Sequence, residues 1–213
     1  MVIFLNQATQ AKEMFLRKIN KTIFFFIIIV SFSVSTNILA INNQKFLKEL
    51  VVKHLESIEE FSSQFLQTNG ITIEEGNLYL KNKRIKIHYH TPSEIQIIIA
   101  QNKAMYFNKD LQEVEYFNPN KSLASYFYNV FYNTAFLNEA IFEEKNNYIV
   151  VYKNLIVDEQ KIILKIFIEQ NPTVVRKIRI EKFDSVITFS ILNHNFNPEL
   201  TDKFFSMINP TIR

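Results

Sequence analysis

The patterning of the chain predicts a mainly β fold with some α (α+β): an incomplete antiparallel β-barrel of about ten strands, covered by two or three α-helices acting as a lid. Three observations lead there. Apolar residues alternate with polar ones through most of the sequence, the mark of strands with one buried face. The breaks between these runs are short and rich in Asn, Pro and Ser, which suits hairpins rather than crossovers. Two stretches instead repeat every three to four residues and have a greasy face suited to covering a sheet.

The elements follow in order. Asn42 or Asn43 caps a first helix in which Phe46, Leu47, Leu50, Val51, Leu55 and Ile58 form an apolar stripe, with Lys45, Lys48, Glu49, Lys53 and Glu56 mostly opposite. The period then changes to two. Phe61 and Phe65 share a face of FSSQFLQT, and Asn69-Gly70 signals a hairpin turn. A second strand over Ile71–Lys81 puts Leu78 and Leu80 on one parity, whereas Ile85, Ile87 and Tyr89 occupy the other. A turn at Asn82-Lys83-Arg84 resets the phase, because asparagine tolerates positive φ. Strands over Ile85–His90, Ile95–Ala100, Ala104–Asn108 and Glu113–Phe117 complete a meander, which Asn118-Pro119-Asn120 ends. KSLASYFYNVFYN places Leu123, Phe127, Val130 and Phe131 on one helical face, with Tyr126 alongside, and Asn138–Glu144 reads as a further helical turn. Strands resume over Tyr148–Val157, Lys161–Glu169, Val174–Phe183 and Val186–Leu192. In the tail, Phe204-Phe205 is placed to plug one end of the sheet.

The first forty residues have a separate character. Lys12, Arg17, Lys18 and Lys21 precede the apolar run Ile23–Val30, and the segment ends in SFSVSTNILA. This reads as a secretory signal cleaved after Ala40, with Met14 as an alternative start. It leaves 41–213 as a single domain. An uncleaved anchor is the other reading, but the 19 residues Thr22–Ala40 include Ser31, Ser33, Ser35, Thr36 and Asn37. The whole chain has 24 Lys and Arg against 21 Asp and Glu. Without its first forty residues it loses those four cations and Glu13, and its net charge becomes zero. The basic balance therefore belongs to the leader and does not indicate nucleic-acid binding. No cysteine is present, so neither disulfides nor lipid attachment through cysteine are open to it.

The sequence offers little chemistry. His88 and His90, two apart on a strand, share a face and could hold a metal, but they lie opposite the apolar set, on the side of Lys86. Glu74-Glu75 and Glu143-Glu144 are adjacent pairs whose members point to opposite faces. There is no phosphate-binding glycine loop and no nucleophile elbow. The expectation is a non-enzymatic binding protein with no metal and no cofactor.

GNLYLKNKRIKIHYHTPSEIQIIIAQNKAMYFNKDLQEVEYF resembles the periplasmic outer-membrane lipoprotein carrier family (LolA-like). The match rests on Phe61-x-x-x-Phe65-x-Gln67 after an amphipathic helix, and on the Gly76-x-Leu78-x-Leu80 hairpin leading to Tyr89 and Thr91-Pro92. It extends to the hairpin AQNKAMYFNKDLQEV and to Asp202-Lys203-Phe204-Phe205 with Pro210. The resemblance covers about Phe46 to Pro210 and is weakest over 120–160. It implies a half-barrel that shelters lipoprotein acyl chains. Cargo would come from an inner-membrane ABC transporter complex and pass to an outer-membrane receptor, with the carrier a periplasmic monomer. The chain departs from the family at the turn after the second strand. Where the family has a proline-containing turn with a lid-holding arginine, Lys81-Asn82-Lys83-Arg84 is one residue shorter, leaving Arg84 or Lys83 as latch candidates. Asn102 stands where the next turn usually has glycine.

On this reading Phe65, Leu78, Leu80, Ile87, Tyr89, Ile97, Ile99, Met105 and Phe107 line the acyl-chain cavity. Leu50, Leu55, Phe127 and Phe131 belong to the lid. Three alternatives stay open: a carrier of another lipid or small apolar ligand, an uncleaved membrane-anchored relative, and an envelope hydrolase.

Overall fold

The computed structural model describes residues 43–157 and 160–212. The expected signal peptide lies outside the described residues. The chain divides into two compact units, Met1–Phe46 and Leu47–Arg213. Only a helical segment over residues 43–46 is described in the first, and the architecture below is that of the second.

Eleven strands among the described residues form one antiparallel sheet: β1 (Glu60–Thr68), β2 (Ile73–Lys81), β3 (Arg84–Thr91), β4 (Ile95–Ile99), β5 (Ala104–Asn108), β6 (Glu113–Phe117), β7 (Ile141–Lys145), β8 (Tyr148–Val157), β9 (Gln160–Gln170), β10 (Thr173–Glu181) and β11 (Val186–Asn195). Their spatial order is β6-β5-β4-β3-β2-β1-β11-β10-β9-β8-β7. Two meanders are thus joined where β1 pairs with β11, and the sheet stays open between β6 and β7. This is the incomplete antiparallel barrel that the patterning predicts. The helices are α1 (43–56) and α2 (Ala124–Tyr132), with short 3-10 turns at Pro119–Lys121, Thr134–Leu137 and Asp202–Phe205.

The concave face follows from register. The β2–β3 turn is two residues long, with Asn82 and Lys83 both at positive φ, so Leu80 pairs with Ile85 and Leu78 with Ile87. Strands twist into such primed turns without splaying, and asparagine adopts the conformation at low cost. Both parities therefore aim inward, which resolves the phase slip. Asn69-Gly70 belongs to a longer four-residue connection. In it Asn69 Oδ1 accepts bonds from the Ile71 and Thr72 amides, and Gly70 supplies a φ of 89°.

Four expectations are corrected. The stretch Asn138–Glu144 is not a helical turn. It enters β7, whose Ile141 pairs with Tyr152 and whose Phe142 is buried. Five residues are too few to display a period, and the pairing partner decides. Met105 and Phe107 do not line the concave face. Ile99 pairs with Ala104 across the 101–103 turn, so Ala104 faces the main core, and Met105 and Phe107 pack on the other side with Ile98, Val114 and Met207. Leu50 is exposed, and the buried line of α1 is Leu47, Val51 and Leu55. These lie four apart, about 40° from one to the next around the helix, whereas Leu50 is about 100° from Val51. Finally, Phe204-Phe205 does not plug an end.

The C-terminal segment instead crosses the outer face of the first meander. Lys81 donates to the Leu200 carbonyl, Asn82 Nδ2 to Asp202 (2.9 Å) and Tyr116 to the Met207 carbonyl (2.8 Å). Phe204 meets Tyr79 edge-on at 4.8 Å and lies 3.9 Å beneath the Lys86 ammonium, which also donates to the Phe204 carbonyl (3.2 Å). Lys86 is buried, and desolvation holds its pKa below the ordinary lysine value. A ring face and a carbonyl are what keep its charge tolerable there.

Gly76 is the glycine the core requires. A Cβ at this position would lie 2.9 Å from Phe65 Cε1 and collide with the His88 carbonyl. The expected result for Gly76→Ala is a loss of roughly 1–3 kcal/mol, from overpacking in a tight core. Urea unfolding followed by circular dichroism measures it, and an unchanged midpoint would contradict the close packing described.

Candidate functional site: an apolar concave face under two helices

The centre of the concave face is aromatic. Phe65 on β1 stacks on Phe189 of β11 at 4.3 Å and 19°, where the two meanders meet. Tyr89 meets Phe65 edge-on at 5.0 Å, and Phe127 of α2 meets Phe189 edge-on at 5.0 Å. Such offset and edge-on contacts are the favoured geometries of aromatic pairs. Around them Leu78, Leu80, Ile87 and Ile99 are buried in the same core, with Tyr89 and Ile97 half-buried against it. Seven of the nine residues expected to line a cavity therefore share one surface, and Met105 and Phe107 do not. Sequence reading omitted Phe189, Ile191 and the β8–β10 residues Val151, Leu164, Ile166 and Ile178, which extend that surface into the second meander. Their period-two alternation was the available signal.

One edge of the concave face is polar. Tyr89 donates to Gln67 Oε1 (2.9 Å), and Gln67 Nε2 donates to Glu74 Oε2 (2.6 Å). Burial first, and then the Glu74 carboxylate, push the Tyr89 hydroxyl well above its ordinary pKa, so it remains a donor at any physiological pH.

The covering helices are held mainly by packing. Leu47, Val51 and Leu55 of α1 and Val130 and Phe131 of α2 are buried, and Phe127 packs against the same core. At nine residues α2 is too short to be stable alone. Its N-cap residue, Leu123, makes no side-chain capping bond, and no acidic residue sits in its first turn. A few polar ties supplement the packing. Tyr132 donates to the Arg84 carbonyl (3.0 Å), Thr134 to Glu56 (3.1 Å) and Lys48 to Asn138 (3.0 Å). The contact between α2 and the β2–β3 hairpin thus uses the Arg84 backbone. Lys83, Asn82, Leu55, Phe131 and Tyr132 line a pocket of about 450 Å³ where α1, α2 and this hairpin converge. Of the two latch candidates, Lys83 lines this pocket and Arg84 contributes its carbonyl to Tyr132.

A second seam joins α1 to the sheet. An extra residue on β11 opposite Ser62 and Gln64, with Asn193 at positive φ, breaks the alternation. His194 then packs against Phe61 at 5.5 Å and Phe196 at 6.1 Å. Its Nε2 faces the Val175 carbonyl (2.8 Å) and its Nδ1 faces Arg176 (3.1 Å), so the neutral Nε2–H tautomer satisfies both. From α1, His54 meets Phe196 edge-on at 6.2 Å, with its Nε2 buried and unpartnered. Both rings are held below the ordinary histidine pKa. Burial is the larger cause for each, supplemented by His194 in the case of His54 and by Arg176 in that of His194.

On the outer face, His88 approaches Glu94 (3.3 Å) and His90 approaches Asn77 (2.8 Å). No group of three or more metal-ligating side chains occurs among the described residues. No helix among them is long and apolar enough to cross a membrane.

The histidine seam sets a pH dependence. Below pH 6.5 the unfolded chain takes up protons that the folded seam resists, so stability present above that pH declines as pH falls through the depressed folded values. The thermal midpoint is expected to drop between about pH 7.5 and 5, and His54→Gln to reduce the drop. Coincident pH profiles for the two proteins would exclude His54 as a contributor.

No family model matches the chain, and no curated protein matches it. Solved structures do align with it. A domain from Vibrio parahaemolyticus described as a putative outer membrane lipoprotein-sorting protein domain aligns at 9% identity and TM-score 0.47, over 76% of this chain and 97% of that one. An uncharacterized conserved protein from Thermus thermophilus aligns at 5% identity and TM-score 0.45, over 72% and 88%. A DUF1329 family protein from Desulfovibrio piger aligns at 9% identity and TM-score 0.41, over 77% and 97%.

Proposed function

We propose that the protein is a periplasmic carrier that shelters the acyl chains of lipoproteins against its concave face after α1 and α2 have moved aside. The observation that carries this reading is the combination of a broad apolar face with a cover held mainly by side-chain packing. Acyl chains offer the same kind of surface as Phe127, Val130 and Phe131, so they can replace those residues without exposing the sheet to water. The need is large: each buried methylene contributes about 0.8 kcal/mol, so several bare chains in water cost tens of kcal/mol. The covered and loaded states must lie close in free energy for cargo to enter and leave.

In this reading the protein performs no covalent chemistry. It receives cargo from an inner-membrane ABC transporter complex and delivers it to an outer-membrane receptor. The seam pocket beside Lys83, Leu55 and Phe131 is where the cover first parts, since three elements meet there with space between them.

The test uses the absence of native cysteine. A Lys83→Cys/Thr134→Cys protein, bridged across the seam pocket by a short bismaleimide, is expected to lose lipoprotein uptake, while the same protein left unbridged retains it. Uptake by the bridged protein would refute a moving cover. Lipid extraction and mass spectrometry of protein purified from its own envelope distinguish lipoprotein from another apolar ligand.

A further inference from the structure

We infer that one rim of the half-barrel is a docking surface for a zwitterionic phospholipid bilayer. The meander topology sends alternate hairpin turns to opposite rims. One rim carries the turns β2–β3, β4–β5, β7–β8 and β9–β10, whose residues are Asn82-Lys83, Ala100-Gln101-Asn102-Lys103, Asn146-Asn147 and Asn171-Pro172. These are polar apart from the small Ala100 and one proline.

The other rim differs. At or beside its turns stand Ile71 (92% exposed), Ile73 (71%), Leu111 (64%), Ile156 (77%) and Phe183 (106%). Ile71, Leu111 and Phe183 stand in the β1–β2, β5–β6 and β10–β11 connections, and Ile73 and Ile156 near the ends of β2 and β8 that reach this rim, whose β3–β4 connection, Pro92-Ser93-Glu94, adds no large apolar side chain. Folding stability accounts for little of this, because side chains that stay mostly in water bury little apolar surface.

The occupant follows from spacing and charge. Adjacent strands lie about 4.8 Å apart and successive turns on a rim are two strands apart, so the tips stand about 10 Å from one another along a curve. A protein partner needs a continuous complementary surface. A fluid bilayer accepts isolated side chains wherever they enter. The charges beside the tips come in both signs. Lys182 and Asp184 flank Phe183, while Lys109 and Asp110 precede Leu111, with Lys109 paired to Glu94 at 2.8 Å. Between the turns a recess of about 580 Å³ is lined by Lys161, Ile163, Glu181, Lys182, Phe183 and Asp184. With Asp158-Glu159 linking β8 to β9 in the sequence, acids outnumber bases at this end, which disfavours a strongly anionic surface and suits headgroups that carry no net charge.

This surface is independent of what the concave face holds, and the test is specific to position. Single cysteines replace Leu111 or Phe183 on the apolar rim and Asn102 or Asn146 on the polar rim of the full chain, each labelled with an environment-sensitive fluorophore. With phosphatidylcholine vesicles the labels at 111 and 183 are expected to shift to the blue and to be quenched by spin-labelled lipid, equally in low and high salt. The labels at 102 and 146 should stay in water. Ile71→Ser with Ile73→Ser is expected to weaken the shift at 183 about tenfold in lipid titration. Equal responses from both rims, or from neither, would overturn the proposal, since anchoring by the N-terminal segment alone predicts no preference for one rim. A shift at 111 and 183 that grows with protein concentration and needs no lipid would overturn it in favour of self-association.

Discussion

A curled sheet whose inner face consists of Phe, Leu and Ile has to be covered, and the structure is organised by that requirement. Each such side chain contributes about 1.5–3 kcal/mol when taken out of water, so leaving the face bare would exceed the stability of an ordinary domain. The cover must therefore fit closely. Phe127 meets Phe189, Phe189 stacks on Phe65, and Phe65 lies over the bare backbone of Gly76. This column runs from lid to strand β2 and passes through the junction where the two meanders join. It places the packing of α2 and the pairing of β1, β2 and β11 in one contiguous set of contacts.

The two faces of the first meander are stabilised differently. Inside, the contacts are apolar and interchangeable, since one hydrocarbon surface packs against another with little regard for identity. Outside, the C-terminal segment is fastened by directed interactions, including Lys81, Asn82, Lys86 and Tyr116 to its backbone or side chains. Directed bonds fix position, whereas packing permits exchange. The outer segment is thus fixed by bonds of defined direction, and α1 and α2 are held over the inner face mainly by side-chain packing. The histidine seam adds a proton-sensitive contact at the same boundary, between α1 and the strand that closes the sheet.

Much of this was legible in the sequence, and the failures are physical. Strands β1–β3 announced themselves because each has one buried face, and the phase slip at Asn82 located a turn that the structure builds with two left-handed residues. The apolar faces of α1 and α2 were visible for the same reason. Leu50 was misplaced because a stripe drawn over a wide arc does not mark its own centre, which Val51 occupies. Met105 and Phe107 were misplaced because apolar residues occur on both faces of β5, and only the pairing with β4 and the arrival of Met207 decide which face is which. No local pattern encodes the long-range ties of the C-terminal segment. The Lys86–Phe204 contact joins residues 118 apart in sequence. The role of Tyr132 was hidden too, since its acceptor is a backbone carbonyl and carries no residue signature.

Hydrogen exchange on protein loaded with a diacylated lipopeptide tests the displacement of the cover most directly. Amides of residues 47–56 and 124–132 should lose protection when the lipopeptide binds, while those of β1, β2 and β3 keep theirs. Bound lipopeptide with both helices as protected as in the free protein would mean that the acyl chains lie elsewhere, and that the concave face is simply a permanent core.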